Sequence, residues 1–268
     1  MKTLAFVFLA VVAPSLFARE AVSANDQARF LAGLPVPARS TLAAAAASAA
    51  WKAHAAEMDA AWIKSESRSI SKTRDWAASF VRGGGAPCYY MFSGPDILFA
   101  HTIFPGAPVY VLCGNEPIGS VPDVIGDAAL ASVRQSLSNV MRFSYFITKD
   151  MRADLSGSQL NGVLPIFYVL LARSGCTIQS VERMSAGAPG VRIVFRSGFG
   201  THTMYYFQAD LSNGGSGAAV MNFCRKQGRG VGLLKAASYL LHEDSFSRCR
   251  DFILTNCRVL VQDDNARR

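Results

Sequence analysis

Residues 89–117 read YYMFSGPDILFAHTIFPGAPVYVLCGNEP. Two short apolar runs, YYMF and VYVLCG, flank a segment that opens with Ser93-Gly94-Pro95-Asp96. Apolar runs of this length, bounded by Gly, Pro and Asp, are the pattern of buried strands, and residues 96–103 between them read as a short helix. Strand, turn, helix and strand in that order make a parallel βαβ unit. The turn after the first strand and Glu116 after the second then leave the sheet at one edge, because parallel neighbours lie ~4.8 Å apart and run the same way. Open α/β sheets bind ligands at that carboxyl edge.

Ser93, Gly94, Asp96 and Glu116 are therefore the candidate ligand-binding residues. Asp210, in QADLSN after a later strand, is the fifth. Gly94 lets the backbone turn tightly, and Glu116 stands where ribose-binding acids stand in nucleotide folds. Asp96 has a second reading as the cap of the helix that begins at Ile97, since its carboxylate can accept unpaired N–H groups there. GPDILF is not GxGxxG, and GxxxxGK[ST] does not occur in the chain. A pyrophosphate would lack its usual cradle, so no nucleotide cofactor is expected.

Working outward, strands are expected near 88–93, 109–114, 177–184, 191–196, 202–208 and 258–262. Helices are expected over 96–103, 127–142, 163–173, 218–226 and 231–255. The runs at 177–184, 191–196 and 202–208 are joined by the Gly-rich turns AGAPG and SGFGTH, which predicts an antiparallel meander beside the parallel unit. The fold class is thus α/β: a Rossmann-like, three-layer sheet, mostly parallel with antiparallel additions. An α-helical region precedes it. Residues 25–38 form a short helix ended by Gly33 and two prolines, and Trp51, Ala55, Met58 and Trp62 recur at helical spacing. The polar stretch Ser65 to Ser71 predicts a break between two helices, and Gly83-Gly84-Gly85 a linker.

Met1 to Ala24 has the parts of an export signal: Lys2, an apolar run from Leu4 to Phe17, and the small residues Val22-Ser23-Ala24 at the cleavage point. The run is short for a membrane span and Pro14 interrupts it. The expected organisation is a signal peptide over 1–24, a helical region over 25–83 and an α/β domain over 84–268. Export to the periplasm or beyond follows, with a membrane contact only through the signal segment if it stays uncleaved.

The chain has 268 residues, half of them hydrophobic and 17% charged, with a formal charge of +8. That composition suits a sizeable core and excludes a disordered chain. The basic residues are scattered and carry no interleaved aromatics, so nucleic acid is not an expected partner. Cys88, Cys113, Cys176, Cys224, Cys249 and Cys257 remain after the signal. An even count in an exported chain permits disulfides, Cys249–Cys257 among the options, while Cys113 in VYVLCG reads as plain core. No CxxC or HExxH occurs, and no metal site is expected. GGSGA at 214–218 misses the GxSxG nucleophile elbow by one residue and reads as a turn. His54 and His101 read as structural histidines. His242, followed by Glu243 and Asp244, is either an acid–base cluster or a solvated helix end.

The segments FSGPDILFAHTIFPGAPVYVLCGNEPIGSVPD, FITKDM, VLPIFYVLLARSGCTIQSVE, YYFQADLSN, LLKAASYLLH and VQDD, in this order, resemble an uncharacterised family of exported bacterial proteins. The resemblance spans most of residues 27–264. It implies a signal peptide, a helical segment and this α/β body, and it brings no established activity. Chains of that family continue past the QDD stretch, whereas this one stops at NARR, which implies a shortened C-terminus. The functional expectation is a non-enzymatic cell-envelope or ligand-binding protein, with an unidentified small-molecule or envelope ligand as partner. The alternative is a hydrolase or transferase of unrecognised type that uses acids at the carboxyl edge.

Overall fold

A computed structural model of the chain describes residues 22–143 and 160–262, so the segment expected to be a signal peptide over 1–24 lies outside the described residues up to residue 21. The first elements are α1 (Ala24–Leu31), α2 (Ala43–Ala46), α3 (Ala49–Ser65) and α4 (Ser71–Phe80). Ser23 and Ser48 cap α1 and α3, their hydroxyls accepting from Asp26 N and Trp51 N. A helix end leaves carbonyls unpaired, and at α1 three distant side chains fill them. Trp51 Nε1 donates to Phe30 O at 3.0 Å, His54 Nε2 to Leu31 O at 2.8 Å, and Arg173 Nε to Ala32 O at 2.7 Å. The polar stretch expected to break the helix does not do so. Glu66–Ile70 is a π-helical turn that joins α3 to α4, with the Ser69 hydroxyl donating back to Ser65 O at 3.2 Å.

β1 (Cys88–Tyr90), α5 (Ile97–Ile103) and β2 (Val109–Gly114) follow. The two strands are parallel neighbours, with Cys88 opposite Tyr110 and Tyr90 opposite Leu112. After α6 (Asp127–Phe143) and α7 (Leu164–Arg173), the strands β3 (Thr177–Ser185), β4 (Pro189–Ser197) and β5 (Gly200–Gln208) form the antiparallel meander read from the sequence. α8 (Gly217–Gln227), β6 (Gly230–Leu234), α9 (Ser247–Asn256) and β7 (Cys257–Gln262) follow as the last helices and strands of the described residues. The result is one seven-stranded mixed sheet in the order β3-β4-β5-β2-β1-β6-β7, mostly parallel.

One expectation fails here. Residues 231–255 are not a single helix: they divide into β6, two 3-10 turns (Ala236–His242 and Asp244–Phe246) and α9. The glycines explain it. A Cβ at Gly230 would stand 2.7 Å from the Tyr89 ring, and one at Gly232 2.6 Å from Leu260 Cδ2. Glycine in a strand marks such close approach, and it disfavours helix.

Side chains alternate across the sheet. Tyr90, Tyr110, Leu112, Met204 and Tyr206 join a core that includes residues of α1, α3 and α5 to α7. Tyr89, Met91, Val111, Cys113 and Phe207 join a second core with residues of α8 and α9. Burial on both faces is why β1 and β2 read as continuous apolar runs rather than as alternation.

Candidate functional site

At the carboxyl edge, the turn after β1 is fastened to the end of β2. Ser93 Oγ accepts from Cys113 N at 3.0 Å and lies 2.9 Å and 3.1 Å from the Gly94 and Cys113 carbonyls, to one of which it donates. Gly94 N donates to Cys113 O at 3.2 Å. Backbone φ is +51° at Gly94 and +59° at Phe92, the only described non-glycine residue with positive φ, so the turn is tight and strained.

Asp96 is 2% exposed and fully engaged. Its Oδ1 accepts from Phe99 N at 3.2 Å as the cap of α5, and its Oδ2 accepts from Tyr90 Oη at 3.0 Å and Lys235 Nζ at 3.2 Å. Lys235, at the end of β6, also sits 4.0 Å above the centre of the Phe99 ring. The two ionic side chains are 5% and 3% exposed, which makes this a buried ion pair.

Glu116 is equally enclosed, at 4% exposure. The Tyr206 hydroxyl lies 2.8 Å from its carbonyl and 3.2 Å from Oε2. Burial first, then the Glu116 charge, pushes the Tyr206 phenol well above its usual range, so the proton stays on the tyrosine. A Cβ at Gly114 would lie 2.2 Å from Glu116 Oε2 and 3.0 Å from Gly94 Cα. Glycine at 94 and 114 therefore lets the Glu116 carboxylate fold into the space between the two strand ends.

Ser93, Gly94, Asp96 and Glu116 thus lie at one edge, as the parallel pairing requires. Asp210 follows β5, the parallel neighbour of β2, but it is exposed and turned on its own loop. Its carboxylate accepts from Ser212 N at 2.8 Å and Ser212 Oγ at 2.9 Å, and its amide donates to Ser216 Oγ. That contact uses the serine of GGSGA in the turn that leads to α8.

Of the other sequence candidates, His101 and His54 are buried and hydrogen-bonded. Tyr110 Oη donates to Phe104 O at 2.7 Å, so His101 Nδ1 donates to Tyr110 at 2.9 Å and its Nε2 faces Cys176 Sγ at 3.7 Å. Burial, then His202, lowers its pKa to about 4. His54 is held by Leu31 O and Arg134 Nη1, and burial lowers it too. His242 is exposed at the end of a 3-10 turn. All six cysteines are buried free thiols, so the Cys249–Cys257 bridge is not formed. Among the described residues no group of three or more His, Cys, Asp or Glu side chains is placed to hold a metal ion. None of their helices is long and apolar enough to cross a membrane.

A cleft of about 430 Å³ opens at the opposite edge. Trp62, Glu66 and Arg74 line it from the α3–α4 arm, His101, Thr102 and Pro105 from the end of α5, Arg173 and Ser174 from the end of α7, and Phe199 from the β4–β5 turn. Pro105, Ser174 and Phe199 precede β2, β3 and β5, three strands that run in one direction, so the cleft lies at their amino edge. Glu66 Oε1 and Arg74 Nη2 pair at 2.8 Å across the π turn. Sequence reasoning missed this cleft because its walls come from four separate segments. The only local signal was the polar stretch at 65–71. It also missed Lys235, which the expected helix over 231–255 had absorbed.

No protein-family profile, curated protein or solved structure matches the chain.

Proposed function

We propose that this chain is an exported, non-enzymatic ligand-binding protein on a Rossmann-like, three-layer scaffold, whose small-molecule ligand occupies the amino-edge cleft. The cleft itself carries the reading. Its volume falls in the range of small-molecule sites, roughly 300–1,000 Å³, and it combines aromatic walls with a few polar groups that can fix orientation. The carboxyl edge supports the same reading from the other side. An acid–base pair needs carboxylates that can reach a substrate. Asp96 is instead committed to a helix cap and a buried lysine, and Glu116 to the space between Gly94 and Gly114.

The test uses a neutral fluorescent probe, N-phenyl-1-naphthylamine, titrated into the folded protein. Binding that quenches Trp62 and is lost in Thr102→Trp, which fills the cleft, is the expected result. A Thr102→Trp protein that folds and binds the probe like the parent overturns the assignment.

A further inference from the structure

We propose that the amino edge of β1, β6 and β7, together with the end of α4, docks on an anionic lipid surface. Basic side chains there meet the headgroup phosphates, and Trp76, Phe80 and Leu254 enter the headgroup layer. The inference stands apart from what the cleft binds.

Along the chain the basic residues are scattered, but the sheet brings five of them to one edge. β1, β6 and β7 run parallel, so their starts lie together. Arg229 immediately precedes β6, and Arg258 is the second residue of β7. Arg225 and Lys226 end α8, which turns into β6 through Gly228, whose carbonyl lies 2.5 Å from the Tyr89 hydroxyl of β1. Arg82 follows α4. Beside it, a Cβ at Gly83 would stand 2.7 Å from Val231 Cγ1 and 3.5 Å from Val259 Cγ2, so the end of α4 lies against the starts of β6 and β7. All five basic residues are exposed.

Their charges are not cancelled locally. The stretches 76–87, 224–231 and 252–260 that build this edge contain no Asp or Glu. None of the five is in an ion pair among the described residues. Arg82 Nη1 donates to Ser79 O and Val81 O, and Arg225 Nη1 to Asn222 Oδ1, all neutral oxygens. Asp251 shares a groove with Arg225, but Arg248 lines the same groove and offsets it. On α4 itself Lys72 offsets Asp75, and Arg74 is paired with Glu66. An edge with five uncompensated positive charges attracts an anionic surface.

Exposed apolar side chains at the same edge select lipid over a soluble polyanion. Phe80 ends α4 and is 70% exposed, and Leu254, in the last turn of α9 before β7, is 63% exposed. Trp76, one turn before Phe80, is 45% exposed, with the two ring centres 6.3 Å apart. Cations beside Trp, Phe and Leu are the composition of an interfacial anchor, the charges on the phosphates and the apolar groups at headgroup depth. A soluble polyanion would engage the cations and leave Phe80 and Leu254 in water.

The full chain is mixed with vesicles of phosphatidylglycerol or of phosphatidylcholine that carry brominated acyl chains, and tryptophan quenching is read. Residues 1–24 hold no tryptophan, Trp51 is buried and Trp62 half-buried, so quenching that disappears in Trp76→Phe reports this edge and not the signal segment. The expected result is quenching on phosphatidylglycerol alone. Each basic residue near an anionic surface strengthens binding roughly fivefold, so the triple variant Arg82→Gln, Lys226→Gln, Arg229→Gln should need roughly a hundredfold more lipid. The double variant Lys226→Gln, Arg229→Gln keeps Arg82 on the end of α4 and should still lose at least about tenfold; it decides if the triple fails to fold. Removing three exposed charges elsewhere, Arg39→Gln, Lys52→Gln and Arg196→Gln, should cost less than about threefold, because charges beyond a Debye length are screened. Equal losses in the two triples would mean that net charge alone acts, and would overturn the proposal. So would an unquenched Trp76 on phosphatidylglycerol, or equal quenching on both lipids. Retention on dextran sulfate with Trp76 unquenched by vesicles overturns lipid in favour of a soluble polyanion.

Discussion

Replacing Asp96 by Asn keeps the helix cap and removes the charge that faces Lys235. The Asn oxygen can still accept from Phe99 N, as Oδ1 does at 3.2 Å. Its amide nitrogen then takes the place of Oδ2, which now accepts from Tyr90 at 3.0 Å and from Lys235 at 3.2 Å. An –NH2 group opposite a buried ammonium sets donor against donor. Removing one partner of a buried ion pair costs about 3–5 kcal/mol, because the other charge stays desolvated. The Phe99 ring beneath Lys235 places the expected value near the lower figure. At roughly 2–4 °C per kcal/mol for a chain of this size, the melting temperature should fall by roughly 6–12 °C. Asp96→Ala should cost about 1 kcal/mol more through the lost cap. The assay is urea denaturation of Asp96→Asn, Lys235→Met and the double variant. The double variant should recover much of the loss, with a coupling of about 2 kcal/mol. If Asp96→Asn lies within about 0.5 kcal/mol of the parent, or the double variant is additive, the ion pair is not what holds this edge. Asp96 would then be an ordinary cap or a ligand-facing carboxylate.

Three further outcomes follow from the same geometry. His101 has a folded pKa of about 4 against about 6.5 unfolded, so the unfolded chain takes up a proton first as pH falls. Stability should be flat above pH 6.5 and decline by about 3 kcal/mol toward pH 4, and His101→Phe should flatten that decline; an unchanged slope in urea titrations across this window refutes the assignment. The six thiols are buried, with Cys176, Cys249 and Cys257 pushed up to about 12, so a thiol-specific reagent should label none of them in the native protein and all six in denaturant, and rapid native labelling would contradict the packing. Export cleavage after Ala24 would remove the Ser23 cap of α1, so a chain starting at Asn25 should be less stable than one starting at Val22 by about 1 kcal/mol in urea denaturation, and equal stability would show that the cap contributes nothing.

The βαβ unit was legible because everything that specifies it is local. Gly94 and Pro95 fix the turn, Asp96 starts the helix, and two apolar runs have strand length. The meander was legible for the same reason, through its Gly-rich turns. β6 was not, because GVGLL carries no turn signal before Lys235 and its two glycines make sense only beside Tyr89 and Leu260. Losing β6 also lost Lys235, and with it the reason that Asp96 is buried. That Asp96 and Glu116 share one edge follows from the parallel pairing of β1 and β2 alone. That each carboxylate is occupied depends on Tyr90, Tyr206 and Lys235, and two of those partners lie more than 80 residues away in sequence. The cleft shows the same limit: spacing along the chain does not reveal that Trp62, Arg173 and Phe199 line one cleft.

The energetics of opening the two edges differ, and this difference favours the amino edge as the place where a ligand binds. A ligand at the carboxyl edge would have to separate Asp96 from Lys235 and lift the Glu116 carboxylate from between Gly94 and Gly114. Parting a buried pair costs about 3–5 kcal/mol, which weakens binding by roughly two to four orders of magnitude before any contact is made. At the amino edge the exposed ionic contact in the cleft lining is Glu66 with Arg74, while the buried Arg173 keeps Asp59. Exposed pairs of this kind are worth about 0–1 kcal/mol. The π turn at Glu66–Ile70 widens the helix at this point and presents Glu66 and Ile70 to the cleft. A ligand at the amino edge therefore exchanges one weak contact, whereas one at the carboxyl edge has to part a buried pair.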